Sequence, residues 1–327
     1  MSNGWSRWRS SVHNGRPDTD VQALKSSILV ALALVAACGA TVSTPAPTSA
    51  MGADVSFLAS PAFAGREAGT AGADSAAEFL ARRYHRIGLH PAFHSRCAST
   101  PACPGSYFQY FQIESSVAHN VGAFIEGSDP LLRTQFVVLG AHYDHLGRSP
   151  TFSLDRERGF VIRPGADDNA SGTAALLELA RRFHDRPARR SLLIVNFDAE
   201  ELGLIGSRVF LDNAPVPPGS MRFMLNLDMI GRLRENQLFI EGVGQRATRA
   251  LIDSAVAAVG IRAEYVADAG RSDHSSFLAS GIDAVMLSTG MHRDYHKASD
   301  IAARVDLTGM ERVVDVAELI ARRMADR

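Results

Sequence analysis

From Ala73 to Ile87 the apolar residues fall at Ala76, Phe79, Leu80, Tyr84 and Ile87, leaving Arg82, Arg83 and Arg86 for solvent. That spacing predicts an amphipathic helix. Beyond it the pattern changes to short continuous apolar runs alternating with helical ones. Phe136–Ala141 (FVVLGA), Leu192–Phe197 (LLIVNF), Phe223–Leu227, Leu238–Ile240 and Ala284–Leu287 predict strands. Gly172–Phe183, Gly206–Leu211, Ala247–Val259 and Leu307–Arg323 predict helices between and after them. Strands without polar alternation are buried on both faces, and strand–helix alternation implies crossovers and a mostly parallel sheet covered by helices. The predicted fold class is α/β, with the active site beyond the carboxyl ends of the strands.

The first fifty residues follow another pattern. A polar, basic stretch precedes the apolar run Ile28–Ala37, which has the length of a signal-peptide core and is too short to span a bilayer. Val35-Ala36-Ala37-Cys38-Gly39 resembles a bacterial lipobox, so Cys38 is the expected lipidation site; the alternative is simple cleavage near Ala37. Thr41–Ala50 is rich in Pro, Ser, Thr and Ala and suits a flexible tether. The expected organisation is therefore a signal and linker over 1–50 and one domain over 51–327. Export would place the protein in the cell envelope or periplasm, lipid-anchored, or outside the cell, with the N-terminal lipid as its membrane contact. Cys97 and Cys103, six residues apart in a loop-like stretch, then form an even pair that an oxidising compartment would bridge as a disulfide. A half metal site is the rival reading of that pair.

Net charge changes little in this picture. With 34 basic and 35 acidic residues the chain lacks the basic excess of a nucleic-acid binder. The informative charges lie at the predicted strand ends: His142-Tyr143-Asp144-His145 after FVVLGA, Asp198-Ala199-Glu200-Glu201 after LLIVNF, and Asp228 after Met224–Leu227. Gly165–Gly172 (GADDNASG) precedes a helix, where its acids also suit an N-cap, and His296 lies in YHKASD. Several acids at buried strand ends repel one another and lose hydration unless a cation compensates them. Imidazole and carboxylate without thiolate are donors that suit zinc at an open, catalytic site.

In the order AHYDHLG, GADDNASG, DAEELGLIGS, LNLDMIG and YHKASD these segments look like the M28 family of co-catalytic zinc aminopeptidases. GREAGTAG, HNVGAFIEG and SDHSSF extend the similarity over nearly all of 55–327. The resemblance implies two zinc ions per chain, with Asp167 bridging them, His142 and Asp228 completing one site, and Glu201 and His296 the other. It implies Glu200 as general acid/base toward a water held between the metals, and a cis peptide at Asp167–Asp168. Asp144 would orient His142, while Asp168, Tyr295 and Asp273 would stand beside metals or substrate. His145, His292 and Asp294 match no ligand position and are expected at the surface or behind the ligands. The implied reaction is removal of N-terminal residues from peptides with a free amino group. Rivals are a glutaminyl-peptide cyclotransferase, a metallo-carboxypeptidase or dipeptidase, and, outside enzymes, an inactive binding protein on the same fold.

Overall fold

The computed structural model of the protein describes residues 49–93 and 105–327. Cys38, Cys97, Cys103 and the apolar run 28–37 lie outside the described residues.

The first described helix starts within the expected tether. Ser49 caps helix α1 (Ala50–Leu58), its Oγ accepting from Gly52 N at 3.2 Å, and Met51, Val55 and Leu58 are buried. The expected amphipathic helix is α2 (Ala71–Ile87), closed by Gly88 in the left-handed conformation that a C-terminal cap requires. Its buried face, from Ala73 to Tyr84, is small-residue rich, and the helix packs closely against the sheet. At its end Tyr84 OH donates to Asn196 Oδ1 at 2.5 Å, satisfying two buried polar groups.

Short strand β1 (His90–Pro91) and the hairpin β2 (Phe108–Ile113) and β3 (Ser116–Ile125) form an antiparallel edge. The hairpin's strands were not among those expected from periodicity, because β2 alternates only partly buried positions. Then come β4 (Phe136–His142), α3 (Gly172–Asp185), β5 (Ser191–Phe197), α4 (Ile205–Asp212) and β6 (Met221–Leu227). The chain continues through β7 (Gln237–Glu241), α5 (Arg246–Val259), β8 (Arg262–Val266), α6 (His274–Ala279), β9 (Ala284–Ser288) and α7 (Leu307–Ala325). Along the sheet the order is β1-β3-β5-β4-β6-β9-β7-β8, with β2 beside β3. The centre, β5-β4-β6-β9, is parallel, and β3 and β7 pair antiparallel at its two sides.

The continuous apolar runs are explained by two cores, one on each face. Val137, Leu139 and Ala141 of β4 and Leu192 and Ile194 of β5 face the larger core, shared with α1, α2, α3, α5 and α7. The intervening Phe136, Val138, Leu193 and Val195 face the second, with Phe210 of α4 and Phe277 of α6. Side chains alternate across a strand, so residues in both phases must be apolar when both faces are covered. Parallel pairing also puts the carboxyl ends of β4, β5, β6 and β9 along one edge. His142 closes β4, Asp198 follows β5 and Asp228 follows β6 there.

Candidate metal centre

The edge is built by loops that are themselves tied down. Arg66, fully buried, donates to the carbonyls of Tyr143 (2.7 Å), Leu58 (2.8 Å), Pro164 (2.7 Å) and Gly165 (2.8 Å), joining the loop after β4 to the turn before α3. Burial holds its pKa down to about 10. Residues 166–171 form a wide helical turn leading into α3. Gly172 starts that helix against β6, and a Cβ there would stand 2.3 Å from Leu227 O, so only glycine permits the approach. Asn169 locks the same junction, its Nδ2 donating to Leu227 O and its Oδ1 accepting from Gly172 N and Met229 N.

At this junction the structure corrects two expectations. Asp167 turns away from the other candidate ligands: its Oδ1 accepts from Gly231 N (2.6 Å) and Ser171 Oγ (3.0 Å), and its Oδ2 lies 3.2 Å from His292 Nε2. Asp168 takes the central place instead, with Oδ1 3.4 Å from His142 Nε2 and Oδ2 3.3 Å from His296 Nε2. The cis peptide is Asp168–Asn169, not Asp167–Asp168. The physical reason is Asp300, whose Oδ2 accepts from both Asp167 N (2.9 Å) and Asp168 N (3.1 Å). Consecutive amides held on one oxygen leave the change of direction to the next peptide, and with it the inward carboxylate.

Around Asp168 lie two halves. On one side His142 Nε2 is also 3.4 Å from Asp228 Oδ1, with Glu200 close to both. On the other His296 Nε2 is 3.1 Å from Glu201 Oε2. These separations are long for charge-assisted hydrogen bonds, which run at about 2.7–2.9 Å. They match the edge of a coordination tetrahedron, roughly 3.3 Å for metal–ligand bonds of about 2.0–2.1 Å. The donors are imidazole and carboxylate, and the residues therefore fit zinc in both halves.

Electrostatics point the same way. Burial alone would lower the pKa of His142, but Glu200, Asp228 and Asp144 lift it well above the usual histidine range. His296 is likewise held up, to about 10, by Asp168 and Glu201 against the effect of burial. The carboxylates around both imidazoles thus favour positive charge among them. Glu200 is pushed well above the carboxylate range, first by burial and then by Glu201, Asp228 and Asp273, although His142 opposes the rise. Glu201 is pulled well below it, against burial, by hydrogen bonds from His145 and His296. Two adjacent glutamates thus differ in proton affinity, the arrangement expected of a base beside a ligand.

Partners behind these groups fix their aim. His142 Nδ1 is 3.2 Å from Asp144 O and 3.6 Å from its carboxylate, which accepts from Glu200 N (3.1 Å) and Glu201 N (3.3 Å). Asp144 therefore orients a histidine and both glutamates. His296 Nδ1 faces Phe152 O at 3.1 Å, and Tyr295 stacks on the His296 ring with centroids 3.8 Å apart. Asp273, fully buried, makes no side-chain cap to α6; neither of its oxygens has a hydrogen-bond partner, and burial lifts its pKa to about 7.

His145 was expected at the surface or behind the ligands, and it is fully buried, with Nδ1 2.7 Å from Glu201 Oε1. His292 is near Asp167, as described, and Asp294 instead binds Ser299 and Arg232. Sequence reasoning assigned nothing to Asp300, Arg66 or Asn169, although each stands inside a segment that carried the family resemblance. Two cavities flank the centre. One of about 410 Å³ is lined by Asp228, Met229, Phe239, Met286 and Tyr295; the other, about 110 Å³, by Asp144, His145, Glu201 and Phe152.

Known proteins are similar to this chain in sequence and in fold. Aminopeptidase YwaD of Bacillus subtilis (strain 168) is 33% identical over 155 residues, covering 45% of this chain and 30% of that protein. Probable leucine aminopeptidase 2 of Aspergillus fumigatus is 28% identical over 190 residues, 55% of this chain and 34% of that one. The matches thus span about a third of each relative. Among solved structures, BSAP, a zinc aminopeptidase from Bacillus subtilis, superposes with a TM-score of 0.67 at 17% identity, over 85% of this chain and 94% of that one. A Bacteroides thetaiotaomicron glutaminyl cyclase bound to N-acetylhistamine also gives 0.67, at 19% identity over 83% and 96%. At such identities the likeness establishes the α/β fold. The profile of peptidase family M28 matches residues 120–321, well over half of the chain, from within β3 to within α7, so the chain belongs to that family.

Proposed function

We propose that the chain is a two-zinc aminopeptidase that removes residues from the free amino end of peptides. The observation that carries this reading is Asp168, one oxygen toward His142 and the other toward His296, with Glu200 adjacent and outside the shared pair. His142, Asp228 and Asp168 would hold one ion; His296, Glu201 and Asp168 the other. When bound, zinc would supply Lewis acidity toward the scissile carbonyl and a water of lowered pKa.

The protein's own contributions follow from position. Glu200, poised toward protonation by its buried and acidic surroundings, takes the proton of the attacking water and returns it to the leaving nitrogen. Asp144 holds the backbone from which Glu200 and Glu201 project, so the base keeps its place as charge moves. The larger cavity, which reaches Asp228 and Tyr295, receives the side chain of the first residue, and the smaller one beside Glu201 the leaving part. Asp228, whose pKa His142 holds down against burial, gives the larger cavity a negative wall that favours a substrate ammonium near the scissile bond.

Glutaminyl cyclisation is the second reading, supported by the equally good superposition on a glutaminyl cyclase. The signal-like apolar run at 28–37 and the lipobox-like residues around Cys38 support export with a lipid anchor. The deciding experiment measures amino-acid release from aminoacyl-arylamides and short peptides, free and N-acetylated, with and without chelator. Chelator-sensitive release that requires the free amine and collapses in Glu200→Gln supports the proposal. Cyclisation of N-terminal glutamine without release, or no turnover by zinc-loaded protein, overturns it.

A further inference from the structure

A second group of possible ligands lies beside the large cavity, which Glu241 helps to line. Glu241 ends β7, Asp268 follows β8 and His274 opens α6, and one donor atom from each lies within 4.8 Å of the others. His274 is fully buried and neither ring nitrogen has a hydrogen-bond partner, while Nε2 stands 3.3 Å from Asp268 Oδ1. Glu241, 8% exposed, has an unpartnered Oε2. Buried polar atoms without partners are costly, so two buried side chains with unpartnered atoms in one cluster of possible ligands call for an occupant.

The surroundings are shaped for one. A Cβ at Gly242 would stand 3.0 Å from His274 Cδ2, so glycine leaves room for the imidazole. Asp268 Oδ1 is oriented by Gly270 N (3.0 Å) and Ser275 Oγ (2.7 Å), and its side chain is 30% exposed, which gives a route from solvent. The 3.3 Å separation is again the edge expected between two ligands of one metal rather than a charge-assisted hydrogen bond.

We propose that Glu241, Asp268 and His274 form a further divalent-cation site, of the zinc class by its one imidazole and two carboxylates, with positions left for water. A cation there ties the loop after β8 to β7 and α6, and so fixes Ser272 and Arg271 in the wall of the large cavity. It takes no part in the reaction proposed above and does not rest on it.

The test is zinc content per chain, measured on zinc-loaded, desalted protein for the unaltered chain, Glu241→Gln and Asp268→Asn. Each variant is expected to hold one equivalent fewer. The quantity read is this difference, so it reports whatever number of ions the Asp168 centre retains. Unchanged content in the variants overturns the site and leaves the Asp268–His274 contact, with Arg271 a counter-charge to Glu241. Asp268→Asn removes a charge from a partly exposed loop, and decides the matter if Glu241→Gln does not fold.

Discussion

Charged side chains crowd two regions of this molecule, the Asp168 centre and the outer faces of α3 and α7, and they are spaced differently. On the helices Glu178, Asp185, Asp315 and Glu318 each meet an arginine at hydrogen-bonding distance. Arg182 reaches Glu178 at 2.8 Å, Asp315 at 2.7 Å and Glu318 at 2.9 Å, and Arg322 reaches Glu318 at 2.7 Å. At the centre, Asp168, Glu201 and Asp228 face His142 and His296 at 3.1–3.4 Å, with only the His145 contact to Glu201 as short as 2.7 Å. The first network neutralises itself, and solvent reaches it. The second is buried, over-supplied with negative charge and spaced for a cation that the protein must acquire. A site can thus be told from a surface by the sign that is missing as well as by the residues present.

The largest effect should come from the carboxylate shared by both halves. Asp168→Asn is expected to lower zinc content in both halves and to reduce peptide cleavage by more than the ~10²–10⁴-fold typical of losing an acid/base group alone. Asp167→Asn should keep most of its zinc, because an amide oxygen can still accept from Gly231 N and Ser171 Oγ. Metal analysis of the two variants side by side checks this. Equal loss in both would return the bridging role to Asp167. Metal removal from the unaltered chain should lower Tm as well, by several degrees if bound zinc contributes about 2.7 kcal/mol at a hundredfold excess over Kd.

Next in size is Glu200→Gln. The substitution keeps shape but removes the proton acceptor, so kcat should fall by about 10²–10⁴ while zinc content holds. Steady-state kinetics with metal analysis separate it from Asp168→Asn. A variant that lost zinc with its activity would make Glu200 a ligand rather than the base.

Much of this was legible in the sequence because it is periodic or clustered. Apolar runs without alternation marked the strands covered on both faces, and acids at their ends marked the edge. The hairpin β2–β3 escaped because β2 is only partly buried, and α1 because its residues read as tether. The choice between Asp167 and Asp168 was not legible at all. Both are acids before a helix, and what separates them is Asp300, more than a hundred residues away, which fixes their two amides on one oxygen. His145 could be read only as surface or behind the ligands for a related reason: its neighbour Glu201 is brought to it by the pairing of β4 with β5.

Smaller effects should follow from the partners behind the ligands. Asp144→Asn leaves a carbonyl oxygen near His142 but weakens the hold on Glu200 N and Glu201 N. Zinc affinity is expected to fall about 10–100-fold, the usual range for such partners. Competition with a chromophoric chelator measures it, and unchanged affinity would reduce Asp144 to packing.

The smallest effect belongs to the helical network, and it tests the comparison from the other side. Arg182→Ala removes contacts to three acids at once, yet its side chain is 23% exposed and Asp315 50%, so water rehydrates what is released. Pairs of this kind contribute about 0.2–1 kcal/mol each, and Arg322 remains to serve Glu318. Urea unfolding should register a loss of about 1–2 kcal/mol, made smaller by added salt, with kcat and zinc content unchanged. A greater loss would mean that the self-neutralised network is as structurally demanding as the buried one, and that the missing cation is not what separates the two regions.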